Sequence, residues 1–316
     1  MTFVKSLPKP GSPLRSRPIL VCNVMSGLGN QLFQYAFARW MAEKSNADLC
    51  LNTSWYDSFQ THRPKRHERL HRLGLYGCTE FTDGFPRWLL GLSGVGSVAL
   101  RQKVQRITSP LLGVDYFNES LRYRFPLEDL PMPTACRPLV LSGYWQFSQA
   151  ARVLGRVMGD EINRSWPWSP GASAISEAIR SAPNAAFLHV RRGDYLKFGM
   201  HTLGIDYYKK AALLIESRMG ISPRWFVFSE DKSWCRNHLG FLAKSTLVDY
   251  TSDDSDIEDI LLMTQCRGGV IANSSFSWWG AALANQQGRP IVSPRQWNGT
   301  LESDAWEMAF PEWMSL

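Results

Sequence analysis

The sequence predicts an α/β protein of two doubly wound domains, each a parallel sheet flanked by helices, facing each other across a cleft. Three observations carry this. Short apolar runs alternate with helix-length segments, most regularly in the second half of the chain, as expected of parallel strands joined by helical crossovers. Some of these runs are apolar almost throughout, as in Ala185–Val190, which suits strands buried on both faces. Trp166-Pro-Trp-Ser-Pro-Gly171 sets chain breakers among aromatics near the middle and divides the chain into residues 1–165 and 166–316.

In chain order, Ile19–Val24 reads as the first strand, Ser26-Gly-Leu-Gly-Asn30 as a turn, and Gln31–Lys44 as a helix. Asp48–Leu51 is a second strand, and His62–Arg72 is a strongly basic segment. A helix is expected over Trp88–Arg106, a strand over Leu139–Tyr144, and a helix after Gln146 running to about Ile162. Later strands are expected at 185–190, 225–228, 269–272 and 291–292. The helices between them cover 207–219, the segment from Lys232, 257–266, and the stretch after Asn273 through Asn285.

A hydrophobic content of 44% and a charged content of 20% belong to a folded chain, not a disordered one. The net charge of +7 favours anionic partners such as a nucleotide or an acidic membrane surface. Nucleic acid is not expected, because the basic segment lacks interleaved aromatics. The cysteines at 22, 50, 78, 136, 235 and 266 form no Cys-x-x-Cys pair, which argues against a zinc site or a dense disulfide framework. Their scatter suits a reducing compartment. Residues 1–17 resemble a loose basic tail without the apolar core of a secretory signal, and Trp88–Leu100 is too short to span a bilayer. The expectation is a cytoplasmic protein, at most peripheral to a membrane.

Three predicted strand ends carry polar groups: Arg191, Arg192 and Asp194; Ser229 and Asp231; Asn273, Ser274, Ser275 and Ser277. In a parallel sheet these ends share one edge, where ligands bind. Taken alone, Arg-Arg-x-Asp is most simply a surface ion pair with Asp194, and the serine-rich turn a helix cap. Taken together they point to a pyrophosphate, since guanidinium forks match phosphate oxygens and helix N-termini attract anions. Asp259, on the preceding helix, is placed to accept the paired N–H donors of guanine, and Asp231 to take ribose hydroxyls. Gly27 and Gly29 lack the third glycine of a dinucleotide fingerprint, Leu32 standing in its place, but suit a close-approach turn opening a helix. Asp253-Asp-Ser-Asp256 is read as helix capping, with no metal expected.

Ser26-Gly-Leu-Gly-Asn-Gln-Leu-Phe-Gln-Tyr-Ala36, His189-Val-Arg-Arg-Gly-Asp-Tyr195, Phe226-Val-Phe-Ser-Glu-Asp231 with Trp234, and Ile271-Ala-Asn-Ser-Ser-Phe-Ser-Trp-Trp-Gly280 resemble the four sequence motifs of the family 11 glycosyltransferases. These are the bacterial and animal α-1,2-fucosyltransferases. Gly143-Tyr-Trp-Gln146 resembles the family's linking segment. The chain departs from the pattern at Met25-Ser26, where a glycine is usual, and at Glu230.

The resemblance implies a GT-B-like fold and inverting transfer of L-fucose from GDP-β-L-fucose to the 2-hydroxyl of a terminal galactoside, with neither cofactor nor catalytic metal. It places Arg191, Arg192 and the turn Asn273, Ser274, Ser275, Phe276, Ser277 on the donor pyrophosphate, and Asp259 on guanine. Ser229 and Asp231 complete that side, while His189 is either a buried strand histidine or a guanosine contact. Gly27, Gly29, Asn30 and Gln31 form the facing wall, with Asn30 directed to the β-phosphate or the fucose. Asp194 is the first candidate for the base, although an arginine neighbour weakens it; a donor phosphate oxygen is the alternative. The expected catalytic set is therefore Asp194, Arg191 and Asn30. The acceptor is expected to be a galactose-terminated oligosaccharide or glycolipid serving O-antigen or another surface glycan. Two readings compete: the same fold with another sugar or linkage, and a catalytically silent nucleotide- or carbohydrate-binding protein.

Overall fold

In the computed structural model the described residues are 17–57, 65–77, 98–119, 130–152, 154–155, 165–284, 288–297 and 308–316. The chain divides into two compact units, Met1–Val153 and Leu154–Leu316. Each holds one all-parallel sheet with helical connections, so the predicted α/β, doubly wound architecture is the one the chain adopts.

The first unit contains β1 (Ile19–Asn23), α1 (Leu28–Lys44), β2 (Asp48–Asn52), α2 (Val98–Leu112), β3 (Asp115–Asn118) and β4 (Leu139–Ser142). Its strands lie in the order β2-β1-β4-β3. β1 is buried at every position and sits between β2 and β4, which explains its uniformly apolar sequence up to Asn23. The helix α1 begins at Leu28, three residues before the expected start, so Gly29 lies inside its first turn. β3 was not foreseen; Asp115-Tyr-Phe-Asn118 has no apolar run to announce it and only partly buried or exposed side chains. The expected helix at Trp88–Arg106 falls partly on residues 78–97, outside those described, and the described helix runs on to Leu112. The expected helix to Ile162 is described only at 148–152 and 154–155.

The second unit runs through α3 (Pro170–Arg180), β5 (Ala185–Val190), α4 (Gly193–Lys197), α5 (Ile205–Met219), β6 (Arg224–Ser229), α6 (Lys232–His238), β7 (Ser245–Leu247), α7 (Ser255–Gln265), β8 (Gly268–Val270), α8 (Ser275–Ala282), β9 (Ile291–Ser293) and β10 (Met314–Ser315). The sheet order β10-β9-β8-β5-β6-β7 is, counted from β5, the 3-2-1-4-5-6 order of dinucleotide-binding folds. β5 lies at its centre, paired with β6 and β8, and is buried throughout. Gly269 makes that centre close-packed: a Cβ there would stand 1.9 Å from the Phe187 ring.

The helices follow from local chemistry. α3 starts at Ser169, whose hydroxyl accepts the Ala172 N–H, with Pro170 at the first helical position. α5 buries Tyr208, Ala211, Ala212 and Ile215, the spacing of one helix face, and stops at Gly220 in the left-handed conformation. The short strands β7 and β10 and the five-residue α4 escaped sequence reading because none is long enough to show a period.

Candidate active site

The strand order brings three of the predicted strand ends together. β8, β5 and β6 are consecutive neighbours and parallel, so residues after Val270, Val190 and Ser229 emerge on one edge. β5 and β8 also mark the point where the winding direction reverses, the place where open α/β sheets bind ligands.

Arg191 and Arg192 lead off β5 and are held by acids of their own edge. Arg191 Nη2 donates to Asp194, 2.7 Å from Oδ1 and 2.8 Å from Oδ2. Its Nε is buried without a hydrogen-bond partner, Glu230 Oε1 lying 3.7 Å away. Arg192 Nε donates to Asp231 Oδ2 at 3.2 Å, and its guanidinium lies over the Trp234 ring at 4.6 Å. Glu230 accepts the Arg192 backbone N–H at 2.9 Å, and Gly193 is required beside it, since a Cβ there would meet Glu230 Cγ at 2.6 Å. The simple ion pair with Asp194 therefore forms, yet it occupies one nitrogen of a five-donor fork and leaves Nε unused. Asp194, with both oxygens on Nη2, is tied to that fork.

Asp231 also caps α6 by accepting the Trp234 N–H at 3.0 Å, and Ser229 Oγ accepts the Asp231 N–H at 3.0 Å. Both are thus locked into the turn that aims Arg192. Ser274 caps α8, its Oγ accepting the Phe276 N–H at 3.4 Å. Ser277 is fully buried, and its hydroxyl links Ala272 N and Ser274 O. Asn273 is buried too; its Nδ2 donates to His201 O and Trp297 O, and its own carbonyl accepts the Tyr195 hydroxyl. These hydroxyls and the Asn273 amide thus bond to backbone groups, with Asn273 Oδ1 left without a partner among the described residues. They shape the turn, and Ser275 and Phe276 are its partly open residues.

His189 is 2% exposed, with its ring 5.6 Å from that of Phe276 and no partner for Nδ1 among the described residues. Burial, helped by the Arg191 charge, lowers its pKa to about 3, so the imidazole is neutral at any physiological pH. Asp259, one and a half turns into α7, accepts the Tyr250 hydroxyl at 2.9 Å. Burial pushes its pKa up to about 7, the hydrogen bond from Tyr250 opposing the shift. The neighbouring Glu258 has a different task, accepting Ser169 N and Oγ at 2.6 and 3.0 Å to anchor the start of α3. In the acidic run, Asp254 stands at the N-cap of α7 without a side-chain cap bond, and Asp256 lies in the first turn.

A second polar edge belongs to the first unit. Asn52 Nδ2 donates to Asn23 Oδ1 and Asn23 Nδ2 to Ser142 Oγ, linking the ends of β2, β1 and β4. Asn30 donates to Ser26 Oγ at 3.1 Å and accepts Gln146 Nε2 at 3.0 Å, which joins two of the predicted motifs. Ser26 carries a positive φ of 74°, and Gly27 precedes α1 without a side-chain cap, the Arg66 guanidinium lying over it. Gln31 lies on this edge too. It is fully buried, with Nε2 donating to Ser26 O and His67 O and Oε1 accepting Arg69 N, so it pins the basic segment.

The glycosyl transferase family 11 model matches residues 134–316, more than half of the chain. The chain belongs to that family. It is 28% identical over 305 residues to the O-antigen biosynthesis glycosyltransferase WbnK of Escherichia coli, covering 89% of this chain and 97% of the relative. It is 25% identical to an alpha-1,2-colitosyltransferase of the same organism, covering 94% and 99%. Among solved structures, the fucosyltransferase NodZ from Bradyrhizobium aligns with a TM-score of 0.48 and 14% identity, covering 84% of this chain and 93% of that one.

Within this family 11 chain, sequence reasoning missed several groups that build the two edges. Glu230 was noted only as a departure, yet it positions both arginines. Tyr195 and Tyr250 were passed over, although their hydroxyls reach Asn273 and Asp259. Glu119 accepts the backbone N–H groups of Tyr144 and Trp145, the latter at φ 52°, and so holds the Gly143–Gln146 turn. For Glu230 and Tyr195 the usable signal was their place inside motifs at strand ends, whereas Tyr250 and Glu119 lie in none of the motifs. Among the described residues no group of three or more His, Cys, Asp or Glu is arranged to hold a metal ion, and no helix is long and apolar enough to cross a membrane.

Proposed function

We propose that this glycosyltransferase moves L-fucose from GDP-β-L-fucose to the 2-hydroxyl of a terminal galactoside, with inversion and without a metal ion. The observation that carries this is the pairing of Arg191 and Arg192, preset by Asp194, Glu230 and Asp231, with the N-terminus of α8 at the winding reversal of the second sheet. Breaking the bond between fucose C1 and the phosphate oxygen leaves negative charge on the β-phosphate of GDP. Guanidinium groups and the helix N-terminus stabilise that charge in the transition state. Asp259 takes the guanine N–H donors as a carboxylate. Asn30 is held between Ser26 and Gln146 in the first unit.

The acceptor hydroxyl attacks C1 from the face opposite GDP and loses its proton as the new bond forms. Asp194 holds Arg191 in place, and a donor phosphate oxygen receives the proton. The α-1,2 relatives and the family assignment support this reaction, and the O-antigen relative supports a cytoplasmic enzyme acting on a surface glycan. Incubation with GDP-fucose and a series of β-galactosides in EDTA should give α-1,2-linked product, identified by NMR. Neither product nor donor hydrolysis across the series would sink the proposal.

A second reading changes only the sugar to colitose, since a named colitosyltransferase matches nearly the whole chain. Direct competition between the GDP derivatives of fucose and colitose decides between them: the higher kcat/KM identifies the donor.

A further inference from the structure

Arg289 is 9% exposed, and among the described residues it pairs with no carboxylate. Its Nη1 lies 3.3 Å from Gly280 O and 3.3 Å from Ala281 O, and its Nη2 donates to Met263 O. These carbonyls belong to the last turns of α8 and α7, where helix carbonyls run short of partners within their own helix, Met263 O also accepting the N–H of the cap residue Cys266. The guanidinium also lies over the Phe187 ring of β5 at 5.2 Å. One buried cation thus collects the negative ends of two helices, an arrangement that offsets its lost hydration. Burial lowers its pKa to about 10, which leaves it charged at neutral pH. The two helices touch closely at the same level, because a Cβ on Gly280 would stand 2.8 Å from Met263 Cβ.

The opposite ends of these helices face the proposed donor. α8 opens with the Ser274–Ser277 turn, and α7 carries Asp259 near its start. The axial offset between the helices therefore sets the span between the phosphate-binding turn and the carboxylate for the base. We propose that Arg289 is a positioning residue of the donor site: by tying the C-terminal carbonyls of α7 to those of α8, it fixes the register between Asp259 and the Ser274–Ser277 turn. This rests on the donor reading given above. A fork is required for the task, since its separate nitrogens reach two helices at once, whereas a lysine has a single nitrogen.

The test measures nucleoside diphosphate binding by calorimetry for the wild type, Arg289→Lys and Gly280→Ala, using GDP, ADP and UDP, with thermal melts to establish folding. Wild type should prefer GDP. Each folded variant should bind it about tenfold more weakly and raise the donor KM equally, with kcat changing less, as expected for a misregistered ground-state contact. Gly280→Ala displaces the same helices while keeping the arginine, although Gly280 O is one of its contacts, so the inference stays testable if Arg289→Lys fails to fold. Folded variants that bind GDP within twofold of wild type overturn the positioning role and leave the donor proposal standing. A wild type that binds none of the three overturns the donor reading and the inference with it.

Discussion

The two sheet edges use opposite chemistry. In the first unit the ends of β1, β2 and β4 are joined by neutral amides and hydroxyls: Asn52 to Asn23, Asn23 to Ser142, Gln34 to Met25 and Gly143, Gln31 to Ser26 and the basic segment. In the second unit the ends of β5 and β6 carry two arginines and three acids, with a buried Nε still unpartnered. A network of neutral amides and hydroxyls bonded to one another makes a rigid wall. A charged edge with donors in reserve is set to take up an anion, because removing one partner or adding one shifts a large local energy. Burial alone does not distinguish the two edges; charge does, since guanidinium groups paired with acids stand on one and neutral amides on the other.

The largest effect expected from breaking this contrast is at Arg191. On the proposed reading its loss removes a phosphate contact and releases Asp194 from the guanidinium. Arg191→Ala should reduce kcat/KM for the donor by at least about a hundredfold, the scale for deleting one stabilising donor in a transition state. Arg191→Lys should recover only part of it. Steady-state kinetics on folded protein checks this, and an alanine variant within tenfold of wild type would remove the pyrophosphate assignment.

Asp259 gives the next effect, with a defined sign. Its folded pKa is raised from 3.8 to about 7, so between those values the native chain holds a proton that the unfolded chain has released. The contribution of Asp259 to stability of the free protein therefore falls as pH rises through that window. Donor binding runs the other way, because guanine's N–H donors need the carboxylate: donor KM should drop as pH rises through about 7. Asp259→Asn should flatten the KM profile and remove the Asp259 share of the stability profile. A KM independent of pH from 6 to 8 in wild type would remove the guanine role. His189, lowered from 6.5 to about 3, stays neutral in the folded chain across pH 6 to 8 and so does not shape the KM profile. Its contribution to stability rises with pH from about 3 to 6.5, opposing that of Asp259.

On the neutral edge the effects should appear in stability and not in donor recognition. Gln31→Ala removes the side-chain amide that bonds Arg69 N and His67 O, while Ser26 O keeps the Tyr56 hydroxyl, at about 1–3 kcal/mol for a group left unsatisfied. A lowered melting temperature with donor KM little changed is the expected pattern. A tenfold rise in KM at constant stability would make Gln31 a donor contact.

Much of the second unit was legible because its physics is local. β5 is six buried residues in the centre of a parallel sheet, and its sequence is accordingly one apolar run with a polar release. The strand ends that matter were found for the same reason. What escaped was nonlocal. Nothing near Arg289 in sequence announces that it meets Gly280, Ala281 and Met263, and nothing in Gln31 reveals a bond to His67. The serines were assigned from their chemistry, which is right for a helix start, but their hydroxyls turn inward to the backbone. Residue type identified the edge; only the fold shows which donors remain unused.

The smallest effect should come from Asp253, which sharpens the comparison from the acidic side. The acids that count on the charged edge are those in contact with a guanidinium: Asp194, Glu230 and Asp231. Asp253 is an exposed residue just ahead of α7, before the Asp254 cap position, and a solvated carboxylate of this kind contributes little. If the reaction proceeds without a metal ion, this acidic run has no charge to coordinate. Asp253→Ala should then keep kcat/KM within about twofold, the range of ordinary surface substitutions, and EDTA should affect wild type and variant alike. Activity restored to the variant by added manganese or magnesium would instead place a cation at this run, and the charge on the departing diphosphate would no longer rest on Arg191 and Arg192 alone.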